Sequence, residues 1–178
     1  RTRAAALRAL GHVSLTPETE DVLRGALADE DGWVRYYACQ SLGRLRVEAA
    51  LPLLVARLGD SAGHVKVAAV EALAAMQGEG ALDALAEAAG SADVDVQRAA
   101  LVGIGERAEP RLRPLLGVAL QSPDSSIRLV AVSSLARFEG PEIELSGVAV
   151  SDGDAAVRGA ALELLASRTD SAATNALL

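Results

Sequence analysis

Aromatic residues are scarce in this chain, with one Trp, two Tyr and one Phe among 178 residues, although 51% of the residues are hydrophobic. A core built without rings is filled by Ala, Leu and Val, small side chains that suit close helix packing rather than a large sandwich core. The class indicated is all-α. A single cysteine, Cys39, excludes an internal disulfide and a multi-cysteine metal site, and fits a reducing compartment. Long apolar runs are missing too: the longest free of charge, Ala49 to Ala56, is far short of the roughly 18 residues a membrane span needs. No charged-then-apolar leader opens the chain, so a soluble, cytoplasmic protein is expected. Positive charge is also in deficit. With 17 Lys and Arg against 24 Asp and Glu, the net charge is −7, and no segment collects five or six basic residues. The surface that neutralises phosphates is therefore absent, and nucleic acid is excluded as the expected partner.

What is present is a repeat. One pattern returns at Val34, Val65, Val96, Ile127 and Val157, at spacings of 31, 31, 31 and 30 residues. With that aliphatic residue as position zero, position four is Ala38, Ala69, Ala100, Ala131 and Ala161, and position eight is Leu42, Leu73, Ile104, Leu135 and Leu165. These positions fall within about 80° on a helix of 3.6 residues per turn, so each copy carries one helix, here called B, with a continuous apolar stripe. Position nine is Gly43, Ala74, Gly105, Ala136 and Ala166, always small, which predicts that bulk is excluded there by a close backbone.

Three residues before position zero stand Asp31, Asp93, Asp124 and Asp154, with Ala62 as the departure. Each Asp is expected to cap helix B, accepting from first-turn amides at the positive end of the helix dipole, worth about 1 kcal/mol per helix. Position one is Arg35, Lys66, Gln97, Arg128 and Arg158, long donors able to reach an Asp in the loop of a neighbouring copy. The column is expected to form a structural ladder. A shorter amphipathic helix A is predicted over Pro17 to Leu27, Ala49 to Leu58, Gly80 to Ala89, Pro110 to Leu120 and Pro141 to Val150, with Pro suiting a first turn that needs no amide. Turns fall at Gln77-Gly78-Glu79-Gly80, Glu109-Pro110 and Gly140-Pro141.

The ends keep this register. Arg3, Ala6, Leu10 and Gly11 match positions one, four, eight and nine of an earlier helix B, and Asp170 to Leu178 resembles the start of another helix A. Residues 1–178 are thus expected to be a single repeat domain of about five copies, opening and closing in mid-repeat and beginning at Arg1 without Met, as a fragment of a longer solenoid or multidomain protein would.

The fullest strings, Asp31-Gly-Trp-Val-Arg-Tyr-Tyr-Ala-Cys-Gln-Ser-Leu-Gly43 and Asp154-Ala-Ala-Val-Arg-Gly-Ala-Ala-Leu-Glu-Leu-Leu-Ala166, resemble the HEAT-like repeats of the phycobilisome-lyase type. Tetratricopeptide and ankyrin repeats have similar lengths, but their aromatic-rich and Thr-Pro-Leu-His signatures are missing. The resemblance implies an α-solenoid, a right-handed superhelix of HEAT-like helical pairs with a period of about 31 residues. Function does not follow from the repeat, because scaffolds, adaptors and some enzymes share it. Deoxyhypusine hydroxylase-like proteins hold iron with paired His-Glu motifs, whereas His12 and His64 are each followed by valine. HEAT-like DNA glycosylases use a basic concave face, opposite in sign to this chain. Bilin lyases and isomerases share the repeat most directly, but no lyase-specific motif accompanies it.

The expected function is accordingly a protein-interaction scaffold or adaptor without catalytic residues, metal or cofactor, with a bilin lyase-like enzyme as the alternative. If positions zero, four and eight face the core, positions two and six face the surface that stacked B helices present. They are Tyr36 and Gln40, Val67 and Glu71, Arg98 and Val102, Leu129 and Ser133, and Gly159 and Glu163. This mixed apolar stripe suits a protein or peptide partner, and the overall acidity suits a basic one. The alternative is that wide helices bury these side chains against each other. Trp33, Tyr36 and Tyr37 fall within one and a half turns of one B helix; Trp33 and Tyr36 are expected to be exposed, as contact residues, and Tyr37 to be core.

The remaining candidates have structural readings. Cys39, at a position otherwise Val or Leu, is expected to be a core hydrophobe. His64 is expected at the surface and His12 near the carbonyls that end a helix. Asp29/Asp31 and Asp152/Asp154 are expected to serve as loop and cap residues, and none of these groups completes a catalytic constellation.

Overall fold

A computed structural model describes residues 2–140 and 142–175, and the described residues hold helices and turns without a strand. B helices are α1 (Thr2–Leu10), α3 (Gly32–Arg44), α5 (Gly63–Ala75), α7 (Val94–Arg107), α9 (Ser125–Leu135) and α11 (Ala155–Asn175). A helices are α2 (Pro17–Ala26), α4 (Leu51–Arg57), α6 (Glu79–Ala88), α8 (Arg113–Ala119) and α10 (Glu142–Ser151). They group into two compact units, residues 1–103 and 104–178. Within the first unit α1, α3 and α5 pack side by side, with α2 on α3 and α4 and α6 on α5; within the second, α9 lies against α11, with α8 on α9 and α10 on α11.

The predicted stripe is the core. Positions zero and four are buried in all five copies, and position eight in four, with Leu165 half-buried. The A helices cover it with Leu23, Leu54, Leu82, Leu85, Leu116 and Leu145. In α1 the pattern differs: Ala4 and Leu7 are buried while Ala6, at position four, is exposed. A B helix is ordinarily enclosed both by its own A helix and by its neighbour in the stack, and α1 meets mainly the neighbour, α3.

Two A helices start differently from expectation. Short 3₁₀ turns, Glu48–Ala50 and Pro110–Leu112, precede α4 and α8. Pro52 and Pro114 lie in the first turn of the helices that follow, and a proline there can neither donate backwards nor tolerate the carbonyl four residues before it, so the preceding turn tightens. Pro141, predicted to open the last A helix, lies outside the described residues. The extra A helix expected from Asp170 is not separate: α11 continues unbroken to Asn175, and 176–178 lie outside the described residues. No glycine or proline interrupts Ala160 to Asn175, so nothing in that stretch ends the helix.

The caps are in place. Asp31 accepts from the Trp33 amide at 2.9 Å, Asp124 from Ser126 at 2.8 Å, and Asp154 from Ala156 at 2.8 Å, while Asp93 accepts from Asp95 and Val96 at 3.2 and 3.4 Å. Where Ala62 replaces Asp, α5 has no side-chain cap, and Asp60 makes only the loop contact that Asp29 and Asp152 also make, accepting from the Ala62 amide at 2.9 Å.

The ladder is also present. Arg35 donates Nε and Nη2 to the two oxygens of Asp60 at 2.8 and 2.7 Å, and Arg128 does the same to Asp152, at 2.8 Å for both bonds. Lys66 reaches Asp93 at 2.7 Å, and Arg3 approaches Asp29 at 3.3 Å. Arg35 and Arg128 also turn Nη1 onto loop carbonyls of their own copies, Asp29 and Ser122, and Gln97 donates to Ala89 O in the same manner. The Arg35 hydrogen bonds hold the Asp60 carboxyl below the usual carboxylate range; Arg128 does so for Asp152, and Lys66 for Asp93.

A carboxyl group lowered in the folded state stabilises the fold above its unfolded value, about pH 3.9 for Asp, and that contribution is lost as pH falls through the folded value. The melting temperature should therefore hold steady from pH 7 to 5 and fall steeply below about pH 4. Melting curves across that range, repeated with Asp60→Asn, provide the check: the variant should start lower and lose less on acidification.

Candidate functional site

Close packing of small residues decides which face of the B helices stays open. Gly43 at position nine of α3 meets Ala72 at position seven of α5, where an added Cβ would lie 2.5 Å from the Ala72 Cα. The same pairing brings Gly11 onto Ser41, Ala74 onto Gly103 and, in the second unit, Gly105 onto Ser134. Ser41 Oγ donates to Leu7 O at 2.8 Å, which leaves no polar atom stranded at its contact. Where position seven becomes Leu164, the contact is different. Position nine there, Ala136, is exposed, which corrects the expectation that this column excludes bulk throughout; Ala166 is exposed as well. The larger leucine holds the helices apart, and a groove opens between α9 and α11, lined by Ser133, Ala136, Glu163 and Leu164 among others. A corresponding narrower groove between α3 and α5 is lined by Gln40, Gly43, Arg44, Glu71, Ala72 and Ala75.

None of the candidate contact residues is buried. In the first unit Trp33, Glu71, Arg98 and Val102 are exposed, and Tyr36, Gln40 and Val67 half-buried; in the second, Ser133 and Glu163 are exposed and Leu129 half-buried. Ser133 directs its hydroxyl to Leu129 O at 3.0 Å, so its donor is satisfied within α9. Gly159, at the same register, is half-buried.

The first-unit residues form the more developed surface. Trp33 is 55% exposed, with its ring stacked on His64 at 4.5 Å between centroids and 25° between planes. Tyr36 sets its edge to Trp33 at 5.5 Å and to Tyr37 at 5.0 Å, and its hydroxyl accepts from the Gln40 amide at 2.8 Å. Burial, and after it the nearby Glu71 charge, pushes the Tyr36 phenol up. Such edge and stacked contacts add about 0.5–1.5 kcal/mol each beyond area, so the cluster is held in place before any partner arrives. Tyr37, expected in the core, is only half-buried, its ring meeting Tyr36 at 5.0 Å.

His64 is the residue the sequence reading missed. It is half-buried against Trp33 and Tyr36 rather than a plain surface residue. The signal was available: Trp33 and His64 each stand one residue before position zero in consecutive copies, and equivalent residues of stacked copies lie side by side. His12 follows the end of α1 as expected, its amide donating to Ala9 O at 3.0 Å, and its ring meets the Arg44 guanidinium at the end of α3. Cys39 is fully buried as expected, and burial pushes its thiol up to about 12, so it stays protonated and unreactive at neutral pH. Asp29 and Asp152 accept from the amides of Asp31 and Asp154, each at the end of a ladder rung, as expected of loop residues.

The family profile of HEAT repeats matches the chain over residues 1–74, 21–102 and 82–146. No curated protein matches it in sequence. Among solved structures it is similar to an engineered protein, at 20% identity and a TM-score of 0.58 over 92% of this chain and 89% of that one. It is also similar to a chain of the CpcE–CpcF complex of phycocyanin lyase from a Nostoc species, at 24% identity and a TM-score of 0.63, covering 90% of this chain and 68% of that one. A chain of the S. pombe condensin Cnd3–Cnd2 subcomplex aligns at 18% identity and a TM-score of 0.66, over 90% of this chain but 27% of its own length. Likeness at these identities is likeness of fold. No helix among the described residues is long and apolar enough to cross a membrane.

Proposed function

The chain belongs to the HEAT-repeat family, and from that premise we propose that it is an interaction scaffold that holds a protein or peptide on the exposed face of its B helices. The observation that carries this reading is Trp33. In a chain with four aromatic residues, the single Trp is more than half exposed and is braced by His64 and Tyr36. Exposed Trp and Tyr held rigid by neighbours are the residue types on which binding energy concentrates, because they bury much area at little cost in side-chain freedom. On the same stripe of the first unit, half-buried Val67 and exposed Val102 supply the apolar component such a surface needs, with the groove beside Gln40 and Glu71. We assign the face to binding rather than to a reaction.

Selection of binders from a displayed library of random peptides tests the reading. Peptides enriched on the native chain should lose at least about tenfold in affinity on the Trp33→Ala, Tyr36→Ala double variant, one hot-spot truncation being worth more than about 1.4 kcal/mol. Far-ultraviolet circular dichroism should be unchanged, since Trp33 is exposed, Tyr36 is half-buried and neither belongs to the buried stripe. Equal affinity for both proteins would remove this face from consideration. The likeness to the phycocyanin lyase complex is addressed by incubating the chain with a phycobilin and an acceptor subunit; on our reading no covalent colour appears.

A further inference from the structure

We propose that the aromatic cluster of α3 takes a proline-rich segment in the polyproline II conformation, with a proline ring on the Trp33 indole and main-chain carbonyls on the donors beside it. This rests on the scaffold reading and names the chemistry its partner presents. The ring comes first. Trp33 stacks on His64 at 4.5 Å and meets the Tyr36 edge at 5.5 Å, while Tyr36 and His64 lie 5.8 Å apart, so each of the three rings is held by the other two. Gly32 makes room for this arrangement, since a Cβ there would lie 3.3 Å from His64 Nε2. Trp33 still keeps 55% of its surface open. A fixed, half-open indole offers a flat apolar face without an enclosing pocket. A proline ring covers such a face at little entropic cost, because a polyproline II segment is extended and ordered before it binds.

The polar groups decide between partners. Carboxylates at the N-terminal ends of α3, α5 and α7 are already engaged: Glu30 meets Arg3 at 3.4 Å, Asp31 caps α3, Asp93 pairs with Lys66 at 2.7 Å and Asp95 meets Arg98 at 3.9 Å. The overall acidity of the chain is therefore not presented here as open charge. What the cluster itself leaves unused is neutral. The Tyr36 hydroxyl accepts from Gln40 Nε2 at 2.8 Å, which turns its own proton elsewhere. Among the described residues neither that proton nor the Trp33 indole N–H has an acceptor. Two donors around a ring suit a segment that brings carbonyls without amide hydrogens. Proline does so, since each residue carries an acceptor and no donor, and in polyproline II those carbonyls point outward with no internal partner; any other residue brings an N–H with every carbonyl.

Because Trp33 is the only tryptophan, its emission reports on this cluster alone. The probe is oligoproline of about nine residues, three turns of a polyproline II helix, set against alanine–serine and glycine–arginine peptides of the same length. Oligoproline should change Trp33 emission saturably and bind equally well at low and high salt, since no ion pair forms. The other two peptides should bind at least about fivefold more weakly. Tyr36→Phe, which keeps the ring and removes only the O–H, should weaken oligoproline several-fold. Trp33→Leu, followed by anisotropy of labelled oligoproline, should abolish binding, and both variants should keep native circular dichroism. Equal binding of the proline and alanine–serine peptides, tighter binding of the arginine peptide, or undiminished binding to Trp33→Leu overturns the proposal. The peptides selected by display separate it from the broader reading: clones that need Trp33 and Tyr36 but carry no excess of proline overturn this inference and leave the scaffold standing, whereas proline enrichment among those clones supports it.

Discussion

Replacing Gly43 with valine should destabilise the protein by about 3 kcal/mol, whereas the same side chain placed at Ala136, its register equivalent three copies on, should cost no more than about 0.5 kcal/mol. A first added carbon at Gly43 already lies 2.5 Å from the Ala72 Cα and 2.8 Å from its Cβ, and the Ala72 backbone on α5 has no flexible end that could move aside. Valine adds two methyl groups to that collision. Helix propensity works the other way, since glycine is the poorer helix former, but by only about 0.4 kcal/mol, so the clash decides the sign. Ala136 is exposed beside the groove that Leu164 holds open, and a methyl group there meets solvent. For a chain of this length the Gly43→Val loss corresponds to roughly 6–12 °C in melting temperature, which calorimetry resolves easily from the effect of Ala136→Val. Equal shifts for the two variants would mean that the contact between positions nine and seven does not set the spacing of the B helices.

Asp60→Ala should cost a similar amount, about 3 kcal/mol, for an electrostatic reason. Asp60 is one of the few buried charged residues, and it receives Nε and Nη2 of Arg35, an approach from Arg57 at 3.5 Å and the Ala62 amide. Its removal leaves a nearly buried guanidinium without its counter-ion and the Ala62 amide without its loop acceptor. Removing both charges is gentler. The Arg35→Met, Asp60→Leu pair should recover a large part of the loss, because apolar groups of similar volume carry no desolvation cost. A double-mutant cycle over Arg35 and Asp60 measured by urea unfolding should show strong coupling, and additive single losses would show that the rung does not act as a unit. Arg35→Lys should fall between, since an ammonium cannot reproduce the two-point geometry.

Much of this architecture was legible in the residues because a helix imposes its own period. Val65, Ala69 and Leu73 lie on one stripe whatever surrounds them, and an Asp just before a helix finds free amides by local geometry alone. The ladder was legible for a related reason. Arg35, Lys66 and Arg128 are long enough to cross one loop, and the carboxylates stood at regular offsets from them. That positions two and six stay out of the core followed from the same geometry.

Tertiary structure decided what depends on the distance between helices. That Ala74 is buried and Ala136 exposed at the same position follows from what each faces, Gly103 in one case and the Leu164 side of a groove in the other, and no periodicity within one helix contains that information. Ala6 stays in solvent because burial at position four needs a covering A helix as well as a neighbouring B helix. His64 joins Trp33 for the same kind of reason: the two are far apart along the chain and become neighbours only when their copies stack closely enough for the rings to meet at 4.5 Å. The sequence by itself settled the local, periodic part of this protein, its helices, caps and inward stripes. The spacing between copies, set by the summed volumes of side chains that meet across the interface, settled which small residues touch, where grooves open and which rings come together.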